Sequence, residues 1–151
     1  MSLEGQRFFP GNEATPRQLL ELADEYSRAA SALLPMGRRG KPLSRAPFRL
    51  AAIHAIELYL NAFLRAHGQS SATLRGLHHD LARRCILASD AGLRLRKRTV
   101  KHLDAVSQAR EYLVMRYGPE ASGPASQPNR LEATLKEVAE KISKHLDSMK
   151  S

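Results

Sequence analysis

Apolar residues recur along this chain at the three- and four-residue intervals of an α-helix, and no segment shows the alternation typical of a β-strand. A first helix is predicted from Thr15 to about Leu34. Pro16 suits the first helical position, and Thr15 with Gln18 has the spacing of a capping box. The apolar stripe of this helix consists of Leu19, Leu20, Leu22, Ala23, Tyr26, Ala30 and Leu33.

The segment from Phe48 to Ala66 is apolar on nearly every side, which is typical of a helix surrounded by other helices. Pro47 favours its start. Gly68 favours its end, because glycine readily takes the left-handed conformation that closes a helix. We therefore expect this to be the central helix. The preceding residues 35–45 combine two prolines, two glycines and four cations, which predicts a basic loop.

A third and a fourth helix are predicted between residues 80 and 118. Asp80 is the expected cap of the third helix, which ends near Gly92. The fourth helix opens in the basic segment that begins at Arg94 and continues without a break to Tyr117, before Gly118 stops it.

A fifth helix is predicted after a loop rich in glycine, proline and serine. Asn129 and Glu132 have capping-box spacing, and the helix reaches about Met149 with an apolar seam made of Leu131, Leu135, Val138, Ile142 and Leu146. The expected fold is an all-α, up-and-down bundle of four to five helices. We predict one domain over residues 1–151, with its core at 15–149.

Composition narrows the class of protein further. Twenty-four Lys and Arg residues against 15 Asp and Glu give a formal net charge of +9, which raises the expectation of a polyanionic partner. We expect a cytoplasmic protein without a membrane segment, because no apolar stretch is long enough and residues 1–9 lack the apolar region of a secretory signal. The single cysteine, Cys85, excludes an intrachain disulfide and is expected to be buried.

Three polar residues, His54, Glu57 and Asn61, form a line along the otherwise apolar second helix. A carboxylate removed from water needs a partner, and Arg110 is the predicted partner of Glu57. The pair is either a structural ion pair that fixes helix register or part of a site. His54 and Glu57 have metal-ligand spacing, but the paired Glu-x-x-His repeats of a di-iron bundle are absent, so neither metal nor cofactor is predicted.

Two surface features carry candidate anion contacts. His79, next to His78 and Asp80, comes just before a predicted helix, where backbone donors attract anions; the alternative is a plain helix cap. The basic run from residue 94 to 101, with Arg83 and Arg84 as possible additions, lacks aromatic residues and therefore favours phosphate contacts over base stacking. The run contributes Arg94, Arg96, Lys97, Arg98 and Lys101.

These motifs, in this order, resemble a known family. The segment from His54 to Leu64 resembles the second-helix signature of HEPN domains, the nucleotide-binding helical domains of higher eukaryotes and prokaryotes. His79, Asp80 and Leu81 resemble the family's His-Asp-Leu element, and residues 110–120 resemble its last conserved helix. The resemblance covers about residues 47–120.

The resemblance implies a nucleotide or RNA partner, with one departure. HEPN ribonucleases carry an Arg followed, after four to six residues, by a His on the late helix. After Arg110 this chain instead has Met115 and Arg116 at the comparable positions. Methionine cannot transfer protons as histidine does, and arginine stays protonated, so the departure argues against RNA cleavage.

The leading hypothesis is a non-catalytic HEPN-like module that binds a nucleotide or RNA and forms a homodimer through its late helices. Its expected phosphate contacts are Arg110, Arg116, Tyr117, His79, Arg94, Lys97, Arg98 and Lys101. One alternative is a metal-independent, toxin-like ribonuclease in which His79 or His102 replaces the missing histidine. Another is a protein-interaction partner of a nucleotidyltransferase, as in a toxin–antitoxin pair.

Overall fold

A computed structural model describes residues 9–149, and all regular structure within that range is helical. The predicted all-α bundle is therefore confirmed. Seven α-helices are present in the described part: α1 (Pro16–Leu33), α2 (Ala46–Ala66), α3 (Ser71–Gly76), α4 (Leu81–Asp90), α5 (Lys97–Gln108), α6 (Glu111–Tyr117) and α7 (Pro128–Ser148). Short 3-10 turns lie in the connections at Leu34–Met36, Pro42–Arg45 and Pro119–Ala121.

Helix α2 lies at the centre of the bundle, as its uniform apolar character predicted. It packs against α1, α4, α6 and α7. Ile53, Tyr59 and Ala62 point in different directions around the helix and are all almost completely buried, so side chains on several faces of α2 are removed from water. The hydroxyl of Tyr59 donates a 2.5 Å hydrogen bond to Asp24 Oδ1 and thereby links α2 to α1.

The predicted caps of the first and third helices are confirmed. Thr15 Oγ1 accepts a hydrogen bond from Gln18 N, and Gln18 Oε1 accepts one from Thr15 N, each at 3.0 Å. Asp80 Oδ1 accepts from Arg83 N at 2.9 Å and starts α4. Gly68 has φ +91° just after α2, in the left-handed region that closes a helix at low cost to glycine.

The predicted uninterrupted fourth helix is wrong. The chain breaks at Arg110, which has φ 51° and ψ 42°, a left-handed conformation that disfavours continuation of an α-helix. The break turns α6 onto α2, whereas α5 packs against α4 and α7. The buried carboxylate of Glu111 fixes the new direction, because it accepts hydrogen bonds from the backbone N–H and the hydroxyl of Ser126.

Two other boundaries differ from the sequence pattern. Helix α7 starts at Pro128 after an extended Gln127, so Asn129 lies inside the helix and the predicted capping box is wrong. Proline at the first helical position, with its fixed φ, sets this start. The short α3 was not predicted, because its six residues give almost no periodicity; Ser70 caps it by accepting from Thr73 N at 3.1 Å.

Several expectations about surface and interior are also tested here. Cys85 is buried as expected, and burial raises the pKa of its thiol. Between residues 9 and 149, no helix combines the length and apolar character that a membrane span requires. The expectation that the chain lacks a secretory signal concerns residues 1–8, which lie outside the described residues.

The guanidinium of Arg84 lies inside the bundle, with 2 % of the residue exposed. Its Nε donates to Asn61 Oδ1 at 2.8 Å, and its two terminal nitrogens donate to the carbonyl oxygens of Leu74 and Asp80, each at 3.3 Å. One side chain thus joins α2, the end of α3 and the start of α4. The prediction that Arg84 adds to the basic surface is wrong, because the hydrogen bonds of its guanidinium are all made to groups inside the bundle.

We predict that Arg84→Met lowers the free energy of unfolding by about 2 kcal/mol or more, because Asn61 Oδ1 loses its donor and the carbonyl oxygens of Leu74 and Asp80 each lose the charged one of their two donors. Urea unfolding followed by circular dichroism measures this change. Arg83→Met is the matched control: the Arg83 side chain is exposed, so its replacement should stay within about 0.5 kcal/mol of wild type. Equal stability of the two variants would contradict the prediction.

Candidate functional site

His79 and Glu57 form the polar centre of the candidate site. His79 lies in the loop between α3 and α4, and its Nδ1 is 2.9 Å from Oε1 of the buried Glu57 on α2. The expectation that Glu57 meets a donor from another helix is correct as to the donor, but His79 lies in a loop and not on a helix. The predicted partner, Arg110, is wrong: the Arg110 side chain is exposed and makes no hydrogen bond or ion pair within the described residues.

The other two residues of the polar line have separate neighbours. His54 contacts the ring of Tyr26 edge-on, with 4.5 Å between ring centroids. Burial is the main cause that lowers the pKa of His54, so the imidazole is neutral at pH 7. Asn61 is the acceptor of the Arg84 Nε–H described above. Of the three residues in the line, Glu57 is thus paired with the exposed His79, while His54 contacts Tyr26 and Asn61 contacts Arg84.

A row of stacked side chains extends from His79 along α6. The rings of His79 and Tyr112 stack with a centroid separation of 3.8 Å and an interplanar angle of 22°. Arg116 Nη1 donates to the Tyr112 hydroxyl at 2.8 Å, and the Arg116 guanidinium lies 4.9 Å from the ring centroid of Tyr117. Tyr117 is 70 % exposed. Imidazole, phenol and guanidinium groups thus lie side by side at the surface.

Two clefts meet at this row. The first, here named the α6 cleft, has a volume of about 450 Å³ and is lined by residues that include His79, Ser107, Arg110 and Tyr112. The second, named the α2 cleft, has a volume of about 550 Å³. Its polar lining consists mainly of His54, Glu57, Asn61, Arg65, Arg75 and His79. His78 and His79 line both clefts, and His78 has φ 52°, an uncommon backbone conformation for a residue other than glycine.

The basic run lies apart from both clefts. Arg94, Arg96, Lys97, Arg98 and Lys101 are all exposed around the first turn of α5, and none of them lines the α6 or the α2 cleft. Arg94 Nη1 donates to the carbonyl oxygen of Ser89 at 3.1 Å. The structure therefore divides the predicted phosphate contacts into a patch on α5 and a site at His79, Arg110, Arg116 and Tyr117.

His102 has an interior role. Its Nδ1 lies 2.7 Å from Thr134 Oγ1 and its Nε2 lies 2.8 Å from Ser126 Oγ, so both ring nitrogens are engaged. Burial, with a smaller contribution from the charge of Arg130, lowers the pKa of His102 to about 4. Of the two histidines considered as replacements for the missing catalytic one, only His79 presents a ring nitrogen that is unpaired within residues 9–149.

Sequence reasoning missed three residues of the site. Tyr112 stacks on His79, while Arg65 and Arg75 line the α2 cleft. Tyr112 occurs two residues after Arg110, inside the segment 110–120 that resembles a HEPN helix, so its aromatic ring could have been identified from the sequence as a candidate site residue. Arg65 and Arg75 reach the cleft only through the packing of α2 and α3, and the sequence alone carries no such signal. Within residues 9–149, no three His, Cys, Asp or Glu side chains gather as metal ligands.

Comparison with protein-family models, curated protein sequences and solved structures found no match for this chain. The resemblance to HEPN domains therefore stays a prediction based on the motifs. What the structure adds is the geometry of the matching residues: His79 and Glu57 contact each other, and Arg116 contacts the tyrosine that stacks on His79.

We predict that acid destabilises the protein through His102. The pKa of His102 is about 4 in the folded chain and about 6.5 in an unfolded chain, so protonation favours unfolding. This stabilisation is complete above pH 6.5 and is lost as the pH falls towards 4. After allowance for partial solvent screening, the loss between pH 7 and pH 4.5 is about 2 kcal/mol.

Urea unfolding at both pH values tests this, with His102→Gln as the comparison. The variant lacks the titrating imidazole, so its free energy of unfolding should fall less over the same interval, by about 2 kcal/mol. His78→Gln, at an exposed position, is the control and should keep the wild-type difference. Identical pH dependence in wild type and His102→Gln would disprove this role for His102.

Proposed function

We propose that this chain is a HEPN-like module that binds a nucleotide or RNA in the α6 cleft and does not cleave it. The observation that carries the proposal is the contiguous row of His79, Tyr112 and Arg116, of which His79 and Tyr112 line the α6 cleft together with Arg110. These residues supply a ring nitrogen, a hydroxyl and two guanidinium groups, which can donate hydrogen bonds to phosphate oxygens. Two of the carboxylates in the lining of the α6 cleft are engaged within the protein: Asp80 caps α4, and Glu111 accepts from Ser126.

The orientation of His79 supports this binding mode. An ionised carboxylate only accepts hydrogen bonds, so Nδ1 of His79 donates to Glu57 and Nε2 is the nitrogen left for a ligand. Nε2 has no hydrogen-bond partner within residues 9–149. The buried carboxylate also fixes the ring plane, which is the function of the second partner in many histidine sites. A neutral Nε2 accepts from a sugar hydroxyl, and a protonated one donates to phosphate.

Arg116 and Arg110 supply the positive charge. Each guanidinium has five N–H groups, and the only hydrogen bond that Arg116 makes in the described residues leaves most of its donors available. The planar fork of arginine matches two oxygens of one phosphate. Tyr117, exposed beside Arg116, adds a face on which a base stacks, with a typical contribution of about 1–3 kcal/mol per base.

The basic patch on α5 supports RNA over a free nucleotide. Five cations within eight residues are exposed there, outside the α6 cleft. A single nucleotide in the cleft does not need them, whereas the backbone of a longer strand carries one negative charge per residue and gains from each additional cation. The net charge of +9 also favours RNA, because it accelerates association with a polyanion.

Fluorescence anisotropy with a labelled single-stranded RNA tests the proposal. At 50 mM salt we expect binding that Arg110→Gln and Arg116→Gln each weaken about tenfold, because each variant removes charge-assisted hydrogen bonds. Lys97→Gln with Lys101→Gln should instead lower the slope of log affinity against log salt by one to two, through lost phosphate contacts.

The matched control is Arg28→Gln, since Arg28 is an exposed arginine of α1 that lines neither cleft. It should change RNA affinity by no more than about twofold. Absence of RNA and nucleotide binding at 50 mM salt, or binding that Arg28→Gln weakens as much as Arg116→Gln does, would refute the proposal.

A second function is favoured by one specific observation, the contact between Glu57 and His79. With Nδ1 oriented by a carboxylate, Nε2 has the geometry of a general base. In a metal-independent ribonuclease it would take the proton of a 2′-hydroxyl as that oxygen attacks the adjacent phosphorus. The 5′ oxygen then leaves with a proton from water. The missing late-helix histidine would in this case be replaced from the loop before α4.

Incubation of end-labelled RNA with the purified protein distinguishes the two functions. For a binding module we expect no cleavage above the rate in buffer, whatever residue stands at position 79. A ribonuclease would instead give fragments ending in a cyclic phosphate, and His79→Gln would abolish them while Glu57→Gln slowed their formation by about 10²-fold or more. His102→Gln is the control, because both ring nitrogens of His102 are occupied in the interior.

Dimerisation through the late helices and association with a nucleotidyltransferase-like protein remain predictions from the family resemblance. No described contact bears on either of them. Exposed apolar residues lie on α6, at Leu113 and Tyr117, and just after α7, at Met149, where they are compatible with the proposed dimer surface.

A further inference from the structure

We infer that the α2 cleft is a separate binding site for a small phosphorylated molecule with a ring system, of the nucleoside diphosphate class. The α2 cleft lies between α1, α2 and α3, and the segment formed by residues 10–12 contributes to its lining. The inference uses arginines that take no part in the proposed RNA contacts. It therefore stands whether or not the α6 cleft binds RNA.

Arg65 is the first arginine of the cleft, and its donors are poorly satisfied. The side chain is half-buried, and its terminal nitrogens donate to the carbonyl oxygens of Gln69 and Ala14 over long distances of 3.3 and 3.5 Å. Its Nε is buried without a hydrogen-bond partner in the described structure. A buried N–H without an acceptor costs free energy. A phosphate oxygen in the cleft would remove this cost after a small rotation of the guanidinium.

Arg75 is the second arginine, and a contact with the N-terminal segment positions it. Its Nη1 donates to Asn12 Oδ1 at 2.6 Å, and its guanidinium lies 4.4 Å from the ring centroid of Phe9. Ser71 Oγ donates to the carbonyl oxygen of Asn12 at 2.6 Å, so the same segment is fixed twice to α3. Arg75 keeps four other N–H groups for a ligand. Its place is thus set before any ligand binds.

The charge of the lining favours a multiply charged anion. The charged residues at the α2 cleft are Arg65, Arg75, Arg84 and Glu57, and the three histidines that join them leave the balance positive in any protonation state. Arg84 is saturated by Asn61 and two carbonyl oxygens, and Glu57 is paired with His79. Arg65 and Arg75, whose donors are only partly used within the described residues, therefore remain for a ligand, which matches two adjacent phosphate groups better than one.

Part of the lining of the α2 cleft is apolar, and this part constrains the rest of the ligand. Leu19, Leu22 and Leu58 line the cleft from α1 and α2, and Leu22 remains 46 % exposed. A volume of about 550 Å³ is within the range of about 300–1,000 Å³ typical of small-molecule sites. Phosphate groups bound by Arg65 and Arg75, together with a flat ring packed against the leucines, would fill both the charged and the apolar part of the α2 cleft. Inorganic phosphate alone would leave the apolar wall uncovered.

Isothermal titration calorimetry on the full chain with ADP tests the inference. We expect ADP to bind, and Arg75→Gln and Arg65→Gln each to weaken the affinity about tenfold, because each removes charge-assisted donors. Arg75 is exposed, so Arg75→Gln keeps the fold intact even if Arg65→Gln proves unstable. Pyrophosphate and adenosine should each bind more weakly than ADP. Arg28→Gln is the control and should leave the affinity within twofold.

The inference is overturned if ADP does not bind, if Arg75→Gln weakens binding less than threefold, or if adenosine binds as tightly as ADP. Loss of ADP affinity in Arg116→Gln with none in Arg75→Gln would place the nucleotide in the α6 cleft. That outcome would support the proposed function and disprove a second site. If RNA does not bind but ADP binds in a way that depends on Arg75, the proposed function would be disproved and the second site supported.

Discussion

The burial of a carboxylate on the most enclosed helix is the constraint on which the site depends. Glu57 is 7 % exposed and lies on α2, which neighbouring helices contact on several sides. An ionised carboxylate in such a place needs a donor, and His79 provides it from the loop before α4. That loop is held in turn by Arg84, through the carbonyl oxygen of Asp80, and by the cap that Asp80 makes on α4. The polar core thus fixes the position of an imidazole at the surface.

The sequence predicted those parts of the fold in which local chemistry and tertiary packing agree. The capping box at Thr15, the cap at Asp80 and the left-handed glycine at Gly68 are short-range signals, and the structure has each of them. The break at Arg110 carried no such signal. Alanine, arginine and glutamate at 109–111 are good helix formers, and the turn depends on long-range contacts: the packing of α6 on α2 and the hydrogen bonds from Ser126 to Glu111. The start of α7 was misplaced because two start signals, Pro128 and Asn129, are adjacent and the proline prevails.

The candidate site was predictable as a set of residues but not as a set of contacts. His54, Glu57, His79 and Arg116 were all identified from the chain, yet the partner of Glu57 was wrong because distances between helices do not follow from periodicity. Arg84 was placed on the surface, since sequence spacing does not tell a solvated arginine from one that satisfies buried oxygens. The three internal hydrogen bonds of Arg84 show that it satisfies buried oxygens. The arginines of the α2 cleft were missed for the same reason.

His79 lines both clefts, so the two proposed ligands would share one wall. The imidazole of His79 borders both clefts, with Glu57 at its Nδ1 and Tyr112 stacked on its face. A charge in either cleft would therefore lie close to the same imidazole. Anions bound in both proposed sites would repel each other across a partly buried wall, where the effective dielectric constant is well below that of water. If both proposals hold, binding in one cleft would weaken binding in the other, and by the same factor in both directions. A small phosphorylated ligand in the α2 cleft would in this way oppose RNA in the α6 cleft, through charge alone and without any change in the fold.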